Sequence, residues 1–174
     1  MNDKRKLIKI RRLILVFSIT LAISGITAFP VEMELHWLLS HKNLLDSNLE
    51  LWLLKVYHAV KDTNNTYGFL LYGYDWLAFA HLMIALMFIG PYKDPQKNTW
   101  VIEWAMLACI CVIPLALIAG PVRGIPLYWR LIDCSFGVIG IIPLWVCKKW
   151  IKSLDVEVPE RRKQVLMNEE MSNA

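Results

Sequence analysis

The chain has 174 residues, of which 56% are hydrophobic and 20% are charged, and its formal net charge is +4. Its mean hydropathy of +0.41 excludes an ordinary soluble domain, because such domains are less apolar. The length fits a single domain, so the charged residues must be segregated from the apolar ones along the chain.

Four stretches that are almost free of charge predict membrane-spanning helices. They are residues 13–29, 76–92, 104–122 and 131–147. A helix needs about 20 mostly apolar residues, with a range of about 17–25, to cross the hydrocarbon core of a bilayer. The predicted fold is therefore all-α: a polytopic membrane protein with four transmembrane helices within residues 13–147.

The basic N-terminus, residues 1–12, precedes the first apolar stretch directly. This order also matches a secretory signal, in which a basic segment is followed by an apolar one. The candidate cleavage site after Ala28 places Ile26 where a small residue is needed. We therefore predict an uncleaved anchor, with the basic segment setting topology and contacting anionic lipid.

Residues 30–73 predict an extracytoplasmic helical segment between the first two spans. Pro30 suits the first turn of a helix, and Ser47 with Glu50 matches a capping box that begins another. In that second helix the apolar side chains fall on one side at helical spacing, namely Leu49, Leu53, Val56 and Val60. Histidines 36, 41 and 58 lie in this segment, and their spacing favours surface residues over metal ligands.

Small residues inside two spans indicate faces on which helices can approach closely. They are Ser18, Ala22 and Gly25 in the first span, and Gly137 and Gly140 in the fourth. Either face could also serve a second copy of the protein.

The four cysteines, at positions 109, 111, 134 and 147, all lie within spans and predict no disulfide framework.

A patch of charged and polar residues is predicted at the outer ends of spans two and four. It consists of Asp75, His81, Arg123, Arg130 and Asp133. Arg130 is the nearest candidate partner of Asp133, because residues three apart are neighbours on a helix face. Two interpretations stay open: interfacial anchors, or an outward-facing cavity that binds a polar or anionic ligand or relays protons.

The distribution of Lys and Arg predicts the orientation. Residues 1–12 hold six, 92–103 hold two and 148–174 hold six, whereas 30–75 hold three and 120–130 hold two. The positive-inside rule then places both termini in the cytoplasm. The predicted location is a cell (inner) membrane, crossed several times, with residues 148–174 as a loosely ordered cytoplasmic tail.

Three blocks of the chain, "YGYDWLAFAH", "FIGPYKDPQKNTWVIEWAM" and "IAGPVRGIPLYWRLIDCSFGVIGIIPLW", resemble a group of small, uncharacterised bacterial four-span membrane proteins. The resemblance covers about residues 72–147. It implies a bacterial membrane protein and implies no activity.

Three functions follow as hypotheses. The first is a non-enzymatic accessory or scaffold protein, and the second is a small carrier or permease component that uses the outer patch. The third is a membrane redox or haem protein that uses His81, with a second axial ligand such as Met106. No cofactor, metal or nucleic acid is predicted; the expected partners are the lipid bilayer and either a second copy or another membrane protein.

Overall fold

The computed structural model describes residues 3–41 and 46–172, and it describes side chains as far as Leu154. In chain order the helices are α1 (Asp3–Ala28), α2 (Val31–Ser40), α3 (Ser47–Tyr67), α4 (Tyr72–Met87), α5 (Ile89–Lys93), α6 (Thr99–Val122) and α7 (Leu127–Ser172), with a 3-10 turn at Gly68–Leu70. These residues contain no β-strand, so the all-α prediction is confirmed for the described part of the chain. Residues 42–45 of the predicted outer segment, and the last two residues of the tail, lie outside it.

Within the described residues, three helical segments are long and apolar enough to cross a membrane. They are Tyr72–Lys93, Thr99–Val122 and Leu127–Leu154. The helices α1 and α2 pass the same test only as a pair, and they are bent by 92° at the break between them. In each segment only 17% of the apolar window is buried inside the chain. Most of these apolar side chains therefore need an apolar solvent.

Several helix ends differ from the predicted spans. The helix α1 begins at Asp3, so the basic N-terminus continues the helix of the first span. The second span is interrupted near Pro91, whose ring cannot continue a regular helix. The helix α7 ends at Ser172, where the sequence favoured a loosely ordered tail. That tail is rich in Glu, Arg, Lys, Leu and Met, which have high helix propensity without forming an apolar stripe.

The chain divides into two compact units. The first holds the described residues up to Phe17 and from Met87 onward, and the second holds Ser18–Leu86. The helix α1 contributes residues to both.

The core of the first unit draws on α1, the α4–α5 junction, α6 and α7. Its largest fully buried side chains include Ile10, Phe88, Ile102, Leu144 and Ile151. The Cys147 thiol is also buried, and it donates to the Ile10 carbonyl over 3.9 Å. All four cysteines are free, in agreement with the absence of a predicted disulfide framework.

Small residues bring helices together in both units, as predicted. In the first unit, a Cβ added at Gly137 would overlap the Cys109 carbonyl oxygen, so α7 lies directly against the backbone of α6. In the second unit, a Cβ added at Gly25 would lie 2.9 Å from the Ala78 carbonyl oxygen. Seven residues earlier in α1, the Ser18 hydroxyl donates to the Ala85 carbonyl over 2.8 Å. Both predicted faces are therefore used within the chain.

The start of α3 differs from the predicted capping box. Asp46, and not Ser47, is the N-cap, and its carboxylate accepts a hydrogen bond of 3.1 Å from the Asn48 backbone amide. Either side chain can cap a helix, and the helix starts at Ser47, one residue earlier than a Ser47 cap requires. The predicted apolar side of α3 is confirmed, because Leu53 and Val60 are buried.

We expect Gly137→Ala to destabilise the protein by about 1–3 kcal/mol, because a methyl group there overpacks the contact between α6 and α7. The midpoint of thermal unfolding in detergent should fall. Gly73→Ala is the matched control, since nothing lies within 4 Å of its added Cβ. A Gly137→Ala protein that unfolds at the wild-type temperature would contradict this packing.

Candidate functional site

The second unit contains a large cleft formed by α2, α3, the 3-10 turn and the start of α4, which we call the α2–α4 cleft. Its volume is about 860 Å³. Polar side chains from three helices line it, namely Glu32, His36, Tyr57, Asn64 and Asp75. Aromatic and aliphatic side chains, including Phe29, Phe69 and Tyr72, form the rest of the lining. A volume in this range with a few convergent polar groups is typical of a ligand site.

The contact between α2 and α3 positions two of these polar groups. The Asn64 amide donates to the Glu32 carboxylate over 3.0 Å. One turn further along α2, the His36 ring lies 6.0 Å from the Tyr57 ring, measured between centroids. These two contacts join α2 to α3 at the wall of the cleft, and the hydrogen bond from Asn64 orients the Glu32 carboxylate.

Asp75 lies in the first turn of α4, where the positive end of the helix dipole favours a carboxylate. Its backbone amide donates to the Leu71 carbonyl over 3.3 Å. Its carboxylate is exposed to the cleft, and within the described residues no hydrogen bond or ion pair satisfies it. Of the five residues predicted for the polar patch, Asp75 is the one that lines this cleft.

His81 belongs to the same unit and lies further along α4. Its Nδ1 donates to the Leu77 carbonyl over 2.8 Å. Because a carbonyl only accepts, this bond places the proton of the neutral ring on Nδ1 and leaves Nε2 as an acceptor. Met106, which the sequence analysis gave as a candidate second haem ligand, belongs to the first unit. Among the residues described, no group of three or more His, Cys, Asp and Glu side chains is arranged to hold a metal.

The remaining three residues of the predicted patch belong to the first unit, around the turn between α6 and α7. Arg123 caps the end of α6, where its backbone amide donates to the Ala119 carbonyl over 3.1 Å. Gly124 follows with a φ of +67°, a left-handed conformation that favours glycine. The Ile125 amide then donates to the Gly120 carbonyl over 2.9 Å. These contacts close a tight turn between α6 and α7.

Arg130 packs its aliphatic stem against the backbone of α6. A Cβ added at Gly120 would overlap Arg130 Cδ and lie 2.7 Å from Cγ. The Nε atom of Arg130 is buried without a hydrogen-bond partner among the described residues. Within the same part of the chain, Arg130 forms no ion pair with Asp133. The expected neighbour pair is therefore not formed, because the arginine turns toward Gly120.

The five predicted residues thus fall in two groups: Asp75 and His81 in the second unit, and Arg123, Arg130 and Asp133 in the first. The single outward cavity that would join them stays a prediction.

Glu32, His36, Tyr57 and Asn64 are cleft residues that the sequence interpretation missed. Glu32 and Asn64 are 32 residues apart, so no local spacing links them. The sequence feature that could have indicated them is the amphipathic pattern of α3. When α3 packs on α2, the C-terminal part of α3 lies beside Glu32.

Comparison with protein-family models, with curated proteins and with solved structures finds no match to this chain.

The contact of Arg130 with Gly120 predicts coupled effects in a double-mutant cycle. We expect Gly120→Ala to lower the midpoint of thermal unfolding when Arg130 is present, because the added methyl group displaces the arginine stem. In an Arg130→Ala background the same change should cost about 1 kcal/mol less, the scale of coupling between contacting residues. Additive effects of the two substitutions would show that the side chains do not touch.

Proposed function

We propose that this chain is a four-span membrane protein that acts as a non-enzymatic ligand-binding component of a membrane system. The observation that carries the proposal is the α2–α4 cleft, in which the Asp75 carboxylate has no partner among the described residues. An accessory subunit or a carrier component can both use such a site. The cleft favours the binding role over a purely structural one.

Packing within the second unit supports α1 as the first of the four proposed spans. Ser18 lies opposite Ala85, and Gly25 lies opposite Ala78. This pairing makes α1 antiparallel to α4. If α4 crosses the hydrocarbon, its antiparallel neighbour crosses at the same depth, because exposed backbone and open ends are excluded there. The bend at Pro30 then lies where the chain leaves the membrane.

Polar contacts in the first unit support a common side for both termini. Lys6 donates to the Ser153 hydroxyl over 3.4 Å, and Arg11 donates to the Lys93 carbonyl over 2.9 Å. At the same end of α6 and α7, Glu103 pairs with Lys148 at 2.9 Å. The N-terminal segment, the α5 region and residues 148–153 in the middle of α7 are thus neighbours. They carry most of the Lys and Arg residues, as a cytoplasmic face does.

The proposed orientation predicts which introduced cysteines a membrane-impermeant maleimide reaches. Asp62→Cys in the outer segment should react in intact cells, and Lys97→Cys in the α5–α6 turn should react only after permeabilisation. The wild-type chain gives the background, because its four cysteines lie within helices α6 and α7. Labelling of both variants under the same condition would contradict the orientation.

The binding role predicts a ligand-dependent rise in the thermal unfolding midpoint that depends on Asp75. Alkyl compounds with cationic, neutral and anionic headgroups form the panel. At least one class should stabilise the wild-type protein through mass action, and Asp75→Asn should reduce that shift. Asp62→Asn, at an exposed site away from the cleft, should leave it unchanged. The proposal fails if no class gives an Asp75-dependent shift.

A further inference from the structure

We propose that the α2–α4 cleft binds an organic ammonium group that carries an alkyl chain. This inference deepens the proposed binding role and rests on it. It names the ligand class, in place of the polar or anionic ligand that the sequence analysis gave as an alternative. Four observations carry it: a second cavity that shares lining residues with the cleft, the charge of the lining, its aromatic rings, and the course of the apolar groove.

A smaller apolar groove of about 310 Å³, which we call the Trp76 groove, adjoins the cleft. The two cavities share Phe29, Tyr72 and Asp75, and the groove adds Trp76 and Phe79. Asp75 and Tyr72 therefore lie where a polar cavity meets an apolar one. A ligand that fills both must be polar at one end and apolar at the other.

The charge of the lining selects a cation. Glu32 and Asp75 are its carboxylates, and among the described residues no Lys or Arg lines either cavity. Glu32 already accepts from Asn64, but the Asp75 carboxylate is left without a partner there. An anion would meet two carboxylates and no Lys or Arg in the lining, whereas a cation can pair with Asp75. The Coulomb interaction of a ligand charge with these carboxylates therefore favours binding of a cation over binding of an anion.

Aromatic rings around the cleft favour an organic cation over a hydrated inorganic one. Phe29, Tyr57 and Tyr72 line the same space. Ammonium groups are attracted to aromatic faces, and quaternary ammonium ligands are commonly bound in this way. Tyr57 already attracts a cation from outside the lining, because Lys61 Nζ lies 5.7 Å from its ring centroid.

The Trp76 groove runs along one face of α4, where an alkyl chain can follow it. Tyr72, Trp76 and Phe79 are at helical spacing, and successive ring centroids are 6.0 Å apart. These side chains are 60%, 57% and 48% exposed, so they offer an uncovered apolar surface. Since α4 continues from Asp75 into its apolar span, a chain that extends from an ammonium at Asp75 runs into hydrocarbon.

Two sources can supply this chemistry: a free amphiphilic amine, or the ammonium of a phospholipid headgroup. The test uses Trp76 as the reporter, because bromine on an alkyl chain quenches nearby indole fluorescence. The protein is placed in lipid nanodiscs, and a trimethylammonium amphiphile with a terminal bromine on a dodecyl chain is titrated. The difference between wild type and Trp76→Phe isolates the signal of Trp76.

We expect saturable quenching of Trp76 by the ammonium probe. Neutralising either carboxylate, by Asp75→Asn or Glu32→Gln, should weaken apparent affinity by at least about fivefold. Glu34→Gln is the matched control on α2, since Glu34 is exposed and does not line the cleft. Circular dichroism and gel filtration confirm that each variant is folded.

A second arm distinguishes the two sources. Nanodiscs contain brominated-chain phosphatidylethanolamine or brominated-chain phosphatidylglycerol without added amphiphile. Stronger, Asp75-dependent quenching by the ethanolamine lipid identifies a headgroup ammonium. Equal quenching by both lipids, together with binding of the ammonium probe, identifies a free amphiphilic amine. Both results support the ammonium site.

The inference is overturned if a brominated dodecanoate quenches Trp76 as well as the ammonium probe does, or if Asp75→Asn and Glu32→Gln bind that probe like wild type. An Asp75-dependent thermal shift with a neutral or anionic compound, combined with no ammonium binding, overturns this inference and leaves the proposed binding role standing. Absence of any Asp75-dependent shift overturns both.

Discussion

The constraint on which this structure depends is that its apolar helices need hydrocarbon as their solvent. Many apolar side chains of α6 and of the first part of α7 are exposed, and only a small fraction of each apolar window is buried within the chain. In hydrocarbon every backbone amide and carbonyl must be satisfied within the segment, which leaves helices as the structure available to this sequence. The same constraint explains why residues 13–29, 76–92, 104–122 and 131–147 contain no Lys or Arg.

Packing between these helices uses small residues, because lipid chains are as apolar as leucine and burial gives little driving force. At Gly137 and at Gly25 one helix backbone lies directly against another. Polar contacts lie beside the ends of the apolar stretches, where Glu103 pairs with Lys148 and Arg11 donates to the Lys93 carbonyl. The second unit differs, since α2 and α3 form a cleft there with polar walls and an apolar continuation.

Local and periodic features of the sequence were sufficient to predict much of the fold. The apolar stretches at 104–122 and 131–147 correspond to α6 and to part of α7, and the small-residue faces were predicted correctly. Competing local signals produced the errors: Asp46 caps α3 in place of its neighbour Ser47. The continuation of α7 to Ser172 follows helix propensity, which a hydropathy pattern does not report.

The candidate site was only partly predictable. Asp75 was identified because a carboxylate at the start of a span demands an explanation. Its cleft neighbours Glu32 and Asn64 come from different helices, so their proximity depends on how α2 packs on α3. The expected bond between Arg130 and Asp133 failed for a related reason. Helical spacing allows such a pair, but the aliphatic stem of Arg130 packs against Gly120 instead.

The most direct test of the central claim is the accessibility of spin labels along α1. This helix meets the criterion for a membrane span only together with α2. Labels at Ile19, Ile23 and Ile26, which are 49%, 54% and 58% exposed, are compared in bilayers with one at Ile110 in α6. Hydrocarbon as the solvent of α1 predicts high accessibility to oxygen and low accessibility to a water-soluble nickel chelate at Ile19 and Ile23, as at Ile110. Ready access of the nickel chelate to all three α1 positions, with Ile110 protected, would contradict the account.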